Sequence, residues 1–481
     1  MKQTPSKLIG LIAGPVSFLL ILLLFKPDGM PPAANAVLAA TVWIGIWWVT
    51  EVIPIAATAL LPIILFPLTE GLTVKATTAA YGHRYVFLYM GGFIIAIAIE
   101  KYNLHRRIAL SVINTVGSKL SNIILGFMIA TAFLSMWISN TATAVMMLPI
   151  AMAIISTFRE HRGSTVEEAD RFGKALLLAI AYSASIGGIG TLIGTPPNLV
   201  LAGIFTEMYG TEITFLDWLK IGLPVSFTLL TICWFFLTRS AFKITNRSFP
   251  GGLTEIKDQL RALGKLGFEE KRILMVFVVT AIAWISRSYL ITPYLPGVDD
   301  TVIALFGALV LFLIPSSVER KPLINWEDAV KIPWGIIILF GGGMAIAQGF
   351  QSSGLAEYLG RQLNVIDGFP TWAIILIIVI AMNYLTEITS NLATTAMILP
   401  ILAPMANSFG VHPLILMVPA TLAASCAFML PVATPPNAVV FGAGVLRIPD
   451  MMKAGFWLNI LSIILITLVS YFLIEVIWDL A

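Results

Sequence analysis

Charge is what this chain has least of. Asp, Glu, Lys and Arg make up 11% of its 481 residues, against roughly 25% in soluble globular proteins. With a mean hydropathy of +0.91, water cannot be its only solvent. Cysteine is nearly absent: Cys233 and Cys426 both lie in apolar stretches, which excludes a disulfide framework and reads as two small buried hydrophobes. The four histidines, His83, His105, His161 and His412, form no metal-type spacing with Cys, Asp or Glu. No His-Glu-x-x-His occurs, and no Gly-x-Ser-x-Gly inside a span, so a membrane-embedded enzyme finds no support. The net charge of +3 is small, and the longest charged stretch, Arg239 to Arg272, mixes both signs. That excludes a nucleic-acid patch. Short alternating segments of the β-barrel kind are missing too.

What is present is hydrophobic and long. Apolar segments fall at about 8–25, 36–52, 54–68, 86–100, 121–138, 141–156, 175–203, 219–238, 273–290, 301–314, 334–350, 371–386, 392–406, 414–440 and 455–478. A bilayer crossing takes about 20 helical residues, so the expected fold is an all-α polytopic membrane protein. The basic start and apolar run of MKQTPSKLIGLIAGPVSFLLILLLF lack a small-residue cleavage site, and read as a retained first helix rather than a cleaved signal. The pairs 121–138 with 141–156 and 371–386 with 392–406 are each joined by little more than Ser-Asn. They are expected to be re-entrant hairpins, whose irregular tips are tolerated only where they line a protein cavity. About eleven transmembrane helices plus two such hairpins account for the segments.

Topology follows from the basic residues. Lys2 and Lys7 precede the first helix, and the Arg239–Arg272 loop holds eight Lys or Arg, whereas the tail with Glu475 and Asp479 has none. The positive-inside tendency puts the N-terminus and that loop in the cytoplasm and the C-terminus outside. The expected location is the plasma membrane, or the inner membrane of a Gram-negative cell.

Three motifs occur twice, in the same order. Ser139–Ile150 and Ser390–Ile401 share eight of twelve positions. Gly-Thr-Pro-Pro-Asn-Leu-Val at Gly194–Val200 matches Ala-Thr-Pro-Pro-Asn-Ala-Val at Ala433–Val439, and MGGFIIAIAI from Met90 resembles FGGGMAIAQG from Phe340. Duplication is the economical account. Five segments between the two tips make the copies point in opposite directions, an inverted repeat of the kind secondary transporters use. The expected layout is an extra helix in 1–30, a first repeat in 31–240, a cytoplasmic connector in 241–272 and a second repeat in 273–481.

The polar residues cluster at the repeated motifs. Ser139 and Asn140 precede an apolar helix, so they suit an N-cap, and a helix N-terminus favours an anion. The preceding half-helix, ending near Ser135–Ser139, leaves free carbonyls that suit a small cation. Thr386, Ser390 and Asn391 repeat the arrangement. Two prolines cannot continue a helix interior, so the helices are expected to break near Thr195–Pro197 and Thr434–Pro436. The alternatives are a turn with a good cap at each tip and a structural kink at each Pro-Pro. Two matched copies of both features favour function. Glu51, Glu100, Lys101 and Glu387 are the main charges near spans. Glu51 reads as structural or interfacial, and Glu387 as a hairpin stabiliser or a neighbour of a cation. No Lys or Arg falls in either tip, so an anion there must rely on neutral donors, helix ends and co-bound cations. A channel would need a continuous polar lining, whereas these groups sit at two tips.

These residues resemble the divalent anion/sodium symporters over nearly the whole chain. Trp-Trp-Val-Thr-Glu-Val-Ile-Pro from Trp47 is similar to that family's N-terminal hallmark, Ser139–Thr143 and Ser390–Thr394 to its paired Ser-Asn-Thr motifs, and Ala424–Val440 to its sodium:sulfate signature. The resemblance implies a homodimeric elevator-type transporter that imports C4-dicarboxylates such as succinate, malate or fumarate with sodium as the coupling ion and no other cofactor. It implies one sodium site from Ser135, Ser139, Asn140 and Gly188, and another from Thr386, Ser390, Asn391 and Ala433. Substrate carboxylates would meet Asn140, Thr141, Ser390, Asn391, Thr434 and Pro435, with Thr195 as the partner of Thr434. Leu392 departs from the pattern, standing where a dicarboxylate carrier often has Thr. That leaves open citrate, sulfate or a longer diacid as substrate. Intact sodium-site oxygens favour cotransport over sodium-independent exchange.

Overall fold

The computed structural model describes residues 5–161, 165–245, 247–249, 254–317, 321–363 and 369–479. Lys2 and part of the expected connector lie outside the described residues. Within them the chain is helical, with only two isolated bridges, Lys119 to Ser248 and Pro315 to Pro322. Among the described residues nine helices are long and apolar enough to cross a membrane. Five shorter apolar helices, including Leu120–Ser135, Asp300–Leu313 and Thr371–Thr386, are not. The count of eleven crossings therefore cannot be read from helix length.

Both expected hairpins form. Leu120–Ser135 turns over four residues into Asn140–Glu160, and Thr371–Thr386 turns over four into Asn391–Ser408. The caps explain where the second arms begin. Ser139 is extended (φ −57°, ψ 139°) and its hydroxyl accepts the N–H of Ala142 at 3.2 Å. Ser390 does the same for Ala393 at 3.5 Å. Each satisfies a donor that the first helical turn leaves open.

The Pro-Pro helices break earlier than the prolines alone predict. Val166–Ile189 stops before Gly190, and the next helix, Pro196–Tyr209, starts on the proline itself. In the second copy Leu414–Ala424 ends, 425–434 is unwound, and Pro435–Phe441 resumes. Proline is welcome at the first helical position because its missing N–H has no intrahelical partner there. The breaks thus lie just before each Pro-Pro. Three further departures are the splitting of 54–68 into Ile55–Thr58 and Leu61–Leu68, a helix start at Pro5 that takes Lys7 into the first turn, and two strongly amphipathic helices, Leu104–Val116 and Leu355–Leu363, that join spans in equivalent places.

Packing interlocks the two copies. Pro196–Tyr209 of the first lies against Asn391–Ser408 of the second, and Pro435–Phe441 of the second lies against Asn140–Glu160 of the first. Each unwound helix is thereby clamped by the other copy's hairpin, which draws both tips to one place. Val166–Ile189 is the central post, buried along almost its whole length and packed on Leu120–Ser135, Asn140–Glu160 and Phe215–Phe235. It approaches the first hairpin backbone to backbone at Gly187, where a Cβ would fall onto the carbonyl of Ala132. Small residues at such contacts let membrane helices pack closely.

That contact yields a test. Gly187→Ala should lower stability by roughly 1–3 kcal/mol, the usual range for overpacking, read as a lower melting temperature in detergent. Gly297→Ala, at a position with open space around it, should leave the melting temperature unchanged.

Candidate functional site

A cavity of about 590 Å³ lies between the two hairpin tips. Ser139, Asn140 and Thr141 line it from the first tip, and Ser390, Asn391 and Leu392 from the second. Thr195 joins them from the first Pro-Pro motif, and Ala433, Thr434 and Pro435 from the other. Residues more than 240 positions apart in the chain therefore share one wall. Ser135, Gly188 and Thr386 do not line the cavity. They lie beneath the tips, each held against its tip asparagine.

The two tips carry the same hydrogen bonds. Ser135 Oγ donates to Asn140 Oδ1 at 2.6 Å, and Thr386 Oγ1 stands at 2.6 Å from Asn391 Oδ1. Ser135 and Thr386 are fully buried. At the first tip, Gly188 leaves no room for a side chain, since a Cβ would sit 2.9 Å from Asn140 Oδ1. A Cβ on Gly194 would lie 2.6 Å from the Gly188 carbonyl and 3.1 Å from that of Ser135. Two backbone carbonyls, a hydroxyl and an amide oxygen thus crowd one small volume. At the second tip, Thr386 Oγ1 also reaches the Ala424 carbonyl at 2.9 Å. Hard, neutral oxygens of this kind suit alkali cations. Aligned on Thr-Pro-Pro-Asn, Ala433 corresponds to Gly194 rather than to Gly188, so the two carried-over cation sets are not equivalent residue for residue.

Asn198 and Asn437, the asparagines of the two Thr-Pro-Pro-Asn motifs, support the unwound segments that border the cavity. Both are fully buried. Asn198 Nδ2 donates to the carbonyls of Gly188 at 3.1 Å and Thr191 at 2.7 Å. Asn437 Nδ2 donates to those of Ala427 at 3.2 Å and Leu430 at 3.0 Å. These are equivalent positions in the two copies. Asn198 ties the last helical turn to the unwound segment and Asn437 ties two points within its unwound segment, each supplying donors to carbonyls around the break. Their occurrence in both Thr-Pro-Pro-Asn copies was the available signal. Trp137 and Tyr89 carry no sequence motif that marks them. Both residues line the cavity, and their indole N–H and hydroxyl are buried with no partner among the described residues.

Among the described residues, two charged side chains line this cavity, those of Lys7 and Glu51. Glu51 sits far from the tips in sequence, yet it shares their cavity, ending the Pro32–Thr50 helix in a left-handed conformation at φ 47°. Lys101 is taken up elsewhere, by Asp328 at 2.6 Å and the Leu323 carbonyl at 2.9 Å. Glu100 borders a separate cavity of about 300 Å³ with His105 and Thr143, behind the first tip. Among the described residues no group of three His, Cys, Asp or Glu could hold a metal ion.

Comparison with known proteins agrees with this architecture. Residues 5–478 match the family model described as the sodium:sulfate symporter transmembrane region. The sodium-dependent dicarboxylate transporter SdcS of Staphylococcus saprophyticus is 50% identical over 474 residues, covering 97% of this chain and 91% of that protein. SdcS of Staphylococcus aureus is 47% identical over 477 residues, covering 98% and 92%. Two solved structures share the fold at low identity. MtrF of Neisseria gonorrhoeae, of a class of antimetabolite efflux pumps, has a TM-score of 0.59 at 15% identity over 86% of this chain and 85% of its own. The YdaH transporter of Alcanivorax borkumensis has 0.57 at 11% over 92% and 99%. A full-length match to the family model, together with two relatives at about half identity, carries one conclusion: the chain belongs to the sodium:sulfate symporter family.

Proposed function

We propose that this protein is a sodium-coupled symporter that imports C4-dicarboxylates, succinate, malate or fumarate, and is not an enzyme. The observation that carries the reading is the meeting of two Ser-Asn tips, neither with a cation of its own, in one cavity. The SdcS relatives' names supply the substrate class.

Each carboxylate of the substrate binds at one tip. Asn140 and Thr141 take the first, and Ser390 and Asn391 the second, with Thr434, Pro435 and Thr195 closing the wall. The hairpin helices Asn140–Glu160 and Asn391–Ser408 both begin at the cavity, so their N-terminal partial positive charges favour the dianion. One sodium binds among Ser135, Ser139, Asn140 and Gly188, and a second among Thr386, Ser390, Asn391 and Ala433. Asn140 and Asn391 belong to both kinds of site. Their amide oxygens face the cation and their Nδ2 groups the carboxylate. Sodium binding thus orders the donors and supplies the positive charge that the tips lack, and coupling follows from that dependence. Two sodium ions neutralise the dianion. A third would make the loaded carrier move one charge, worth about 2.3 kcal/mol per 100 mV.

The two motif-bearing repeats are oppositely oriented and travel together as an elevator against the remaining helices, in a homodimer in the plasma membrane. With the N-terminus in the cytoplasm and the C-terminus outside, the cavity bordered by Lys7 and Glu51 opens inward. Leu392 narrows the second tip, where it is buried and adds no hydroxyl. This favours a slender diacid but leaves one donor fewer for it.

Reconstituted in liposomes under an inward sodium gradient, the protein should accumulate labelled succinate. Excess malate or fumarate should compete, and citrate, sulfate and α-ketoglutarate should compete less. Uptake that ignores the sodium gradient would overturn the reading. Asn140→Ala and Asn391→Ala should each abolish uptake while keeping the wild-type elution volume and helical circular dichroism. Leu392→Thr should restore a donor and lower the succinate KM roughly tenfold or more, given that hydrogen bonds to charged groups contribute about 1.5–3 kcal/mol. An unchanged competition profile in that variant would remove Leu392 from the specificity account.

A further inference from the structure

The second tip holds a charge that the first lacks. Aligning Ser139 with Ser390 sets Glu387 opposite Met136. Glu387 is 3% exposed and accepts four hydrogen bonds. Its Oε1 takes the backbone N–H of Phe428 at 2.8 Å and of Met429 at 2.9 Å, and Asn459 Nδ2 at 2.8 Å. Its Oε2 takes the N–H of Leu430 at 3.1 Å. All four are donors, so the ionised carboxylate, an acceptor only, matches them fully. Three successive N–H groups form an anion-binding nest, and this chain fills it with its own side chain.

The corresponding junction of the first copy is neutral. There the Thr191 hydroxyl donates to the Met136 carbonyl, tying the unwound segment to the tip. In the second copy, Glu387 ties 428–430 to the tip, and the residue before it is Thr386. The Thr386 hydroxyl contacts both Asn391 Oδ1 and the carbonyl of Ala424, where the same unwound segment begins. The second tip therefore carries an acidic side chain directly after Thr386 in the chain, and the equivalent position at the first tip holds only the thioether of Met136. In a site shielded from water, a fixed negative charge nearby strengthens cation binding.

We propose that Glu387 is a positioning residue that makes the second tip the tighter of two sodium sites, so that this tip loads first. The proposal rests on the sodium-site reading above. The charge both orders the unwound segment and attracts the ion, so the two repeats, alike in their neutral oxygens, act in sequence rather than in parallel.

The test is equilibrium binding of radioactive sodium to the purified full-length protein without substrate. Wild type should bind in two components. Thr386→Ala should remove the tighter one and Ser135→Ala the weaker. Glu387→Gln should weaken the tighter component about tenfold and leave the other in place. Glu387→Asp, which keeps the charge, should hold it within about threefold of wild type. A merely structural role would lower both components together, or make Glu387→Asp as defective as Glu387→Gln, and either result overturns the proposal. So does loss of the weaker component in Thr386→Ala, a result that does not depend on Glu387→Gln folding. If wild type binds no sodium, the transport reading itself falls. Two components of which Glu387→Gln moves neither would remove this inference alone.

Discussion

Backbone polar groups in hydrocarbon must be paired inside the protein, and this structure depends on how it meets that constraint at four interruptions. Two hairpins turn and two helices unwind within apolar stretches, where an unpaired N–H or C=O costs several kcal/mol. Serine caps close the hairpins, Asn198 and Asn437 bridge the unwound carbonyls, and Glu387 collects the N–H groups of 428–430. What these caps leave over is a set of carbonyl, hydroxyl and amide oxygens gathered at and beneath two tips that share one cavity. The proposed binding chemistry is the remainder of a structural necessity.

A site built from leftovers of this sort is neutral, and in the proposed mechanism neutrality is what couples the fluxes. An arginine at either tip would bind a dicarboxylate without help. Tips with only dipoles and neutral oxygens hold it weakly until cations arrive. The scarcity of charge in the sequence and the coupling proposed for the protein are then two aspects of one design. The charge at Glu387 does not break the pattern, because it is negative and spent on backbone donors, and it works toward cations rather than the substrate.

The interlocking of the copies gives the arrangement its rigidity. Pro196–Tyr209 rests on the second hairpin and Pro435–Phe441 on the first, so neither tip can shift without moving the other copy's unwound helix. Gly187 lets the central helix reach the first hairpin at backbone distance, which leaves no compressible layer between them. Movement of the binding elements as one body, the elevator proposed above, fits that construction better than independent opening of each tip.

Much of this was legible in the residues. Long apolar runs dictated helices, Ser-Asn dictated caps, and Pro-Pro dictated helix breaks, because each acts through local backbone chemistry. The repeat was legible as well, since Asn140 and Asn391 sit in near-identical dodecamers. Other features were not readable, for equally physical reasons. The breaks begin at Gly190 and at Ser425, ahead of the prolines, because side chains distant in sequence take over the lost hydrogen bonds. Glu51, Trp137 and Tyr89 lie on the cavity wall. Their place depends on which helices stack, not on their neighbours in the chain. By itself the sequence determined a membrane-embedded, duplicated, helical chain with two polar elbows. That the elbows share one cavity, and that Glu387 fills its own nest of amides, was decided only by tertiary packing, because pairing across more than 40 residues depends on the assembled fold rather than on local propensity.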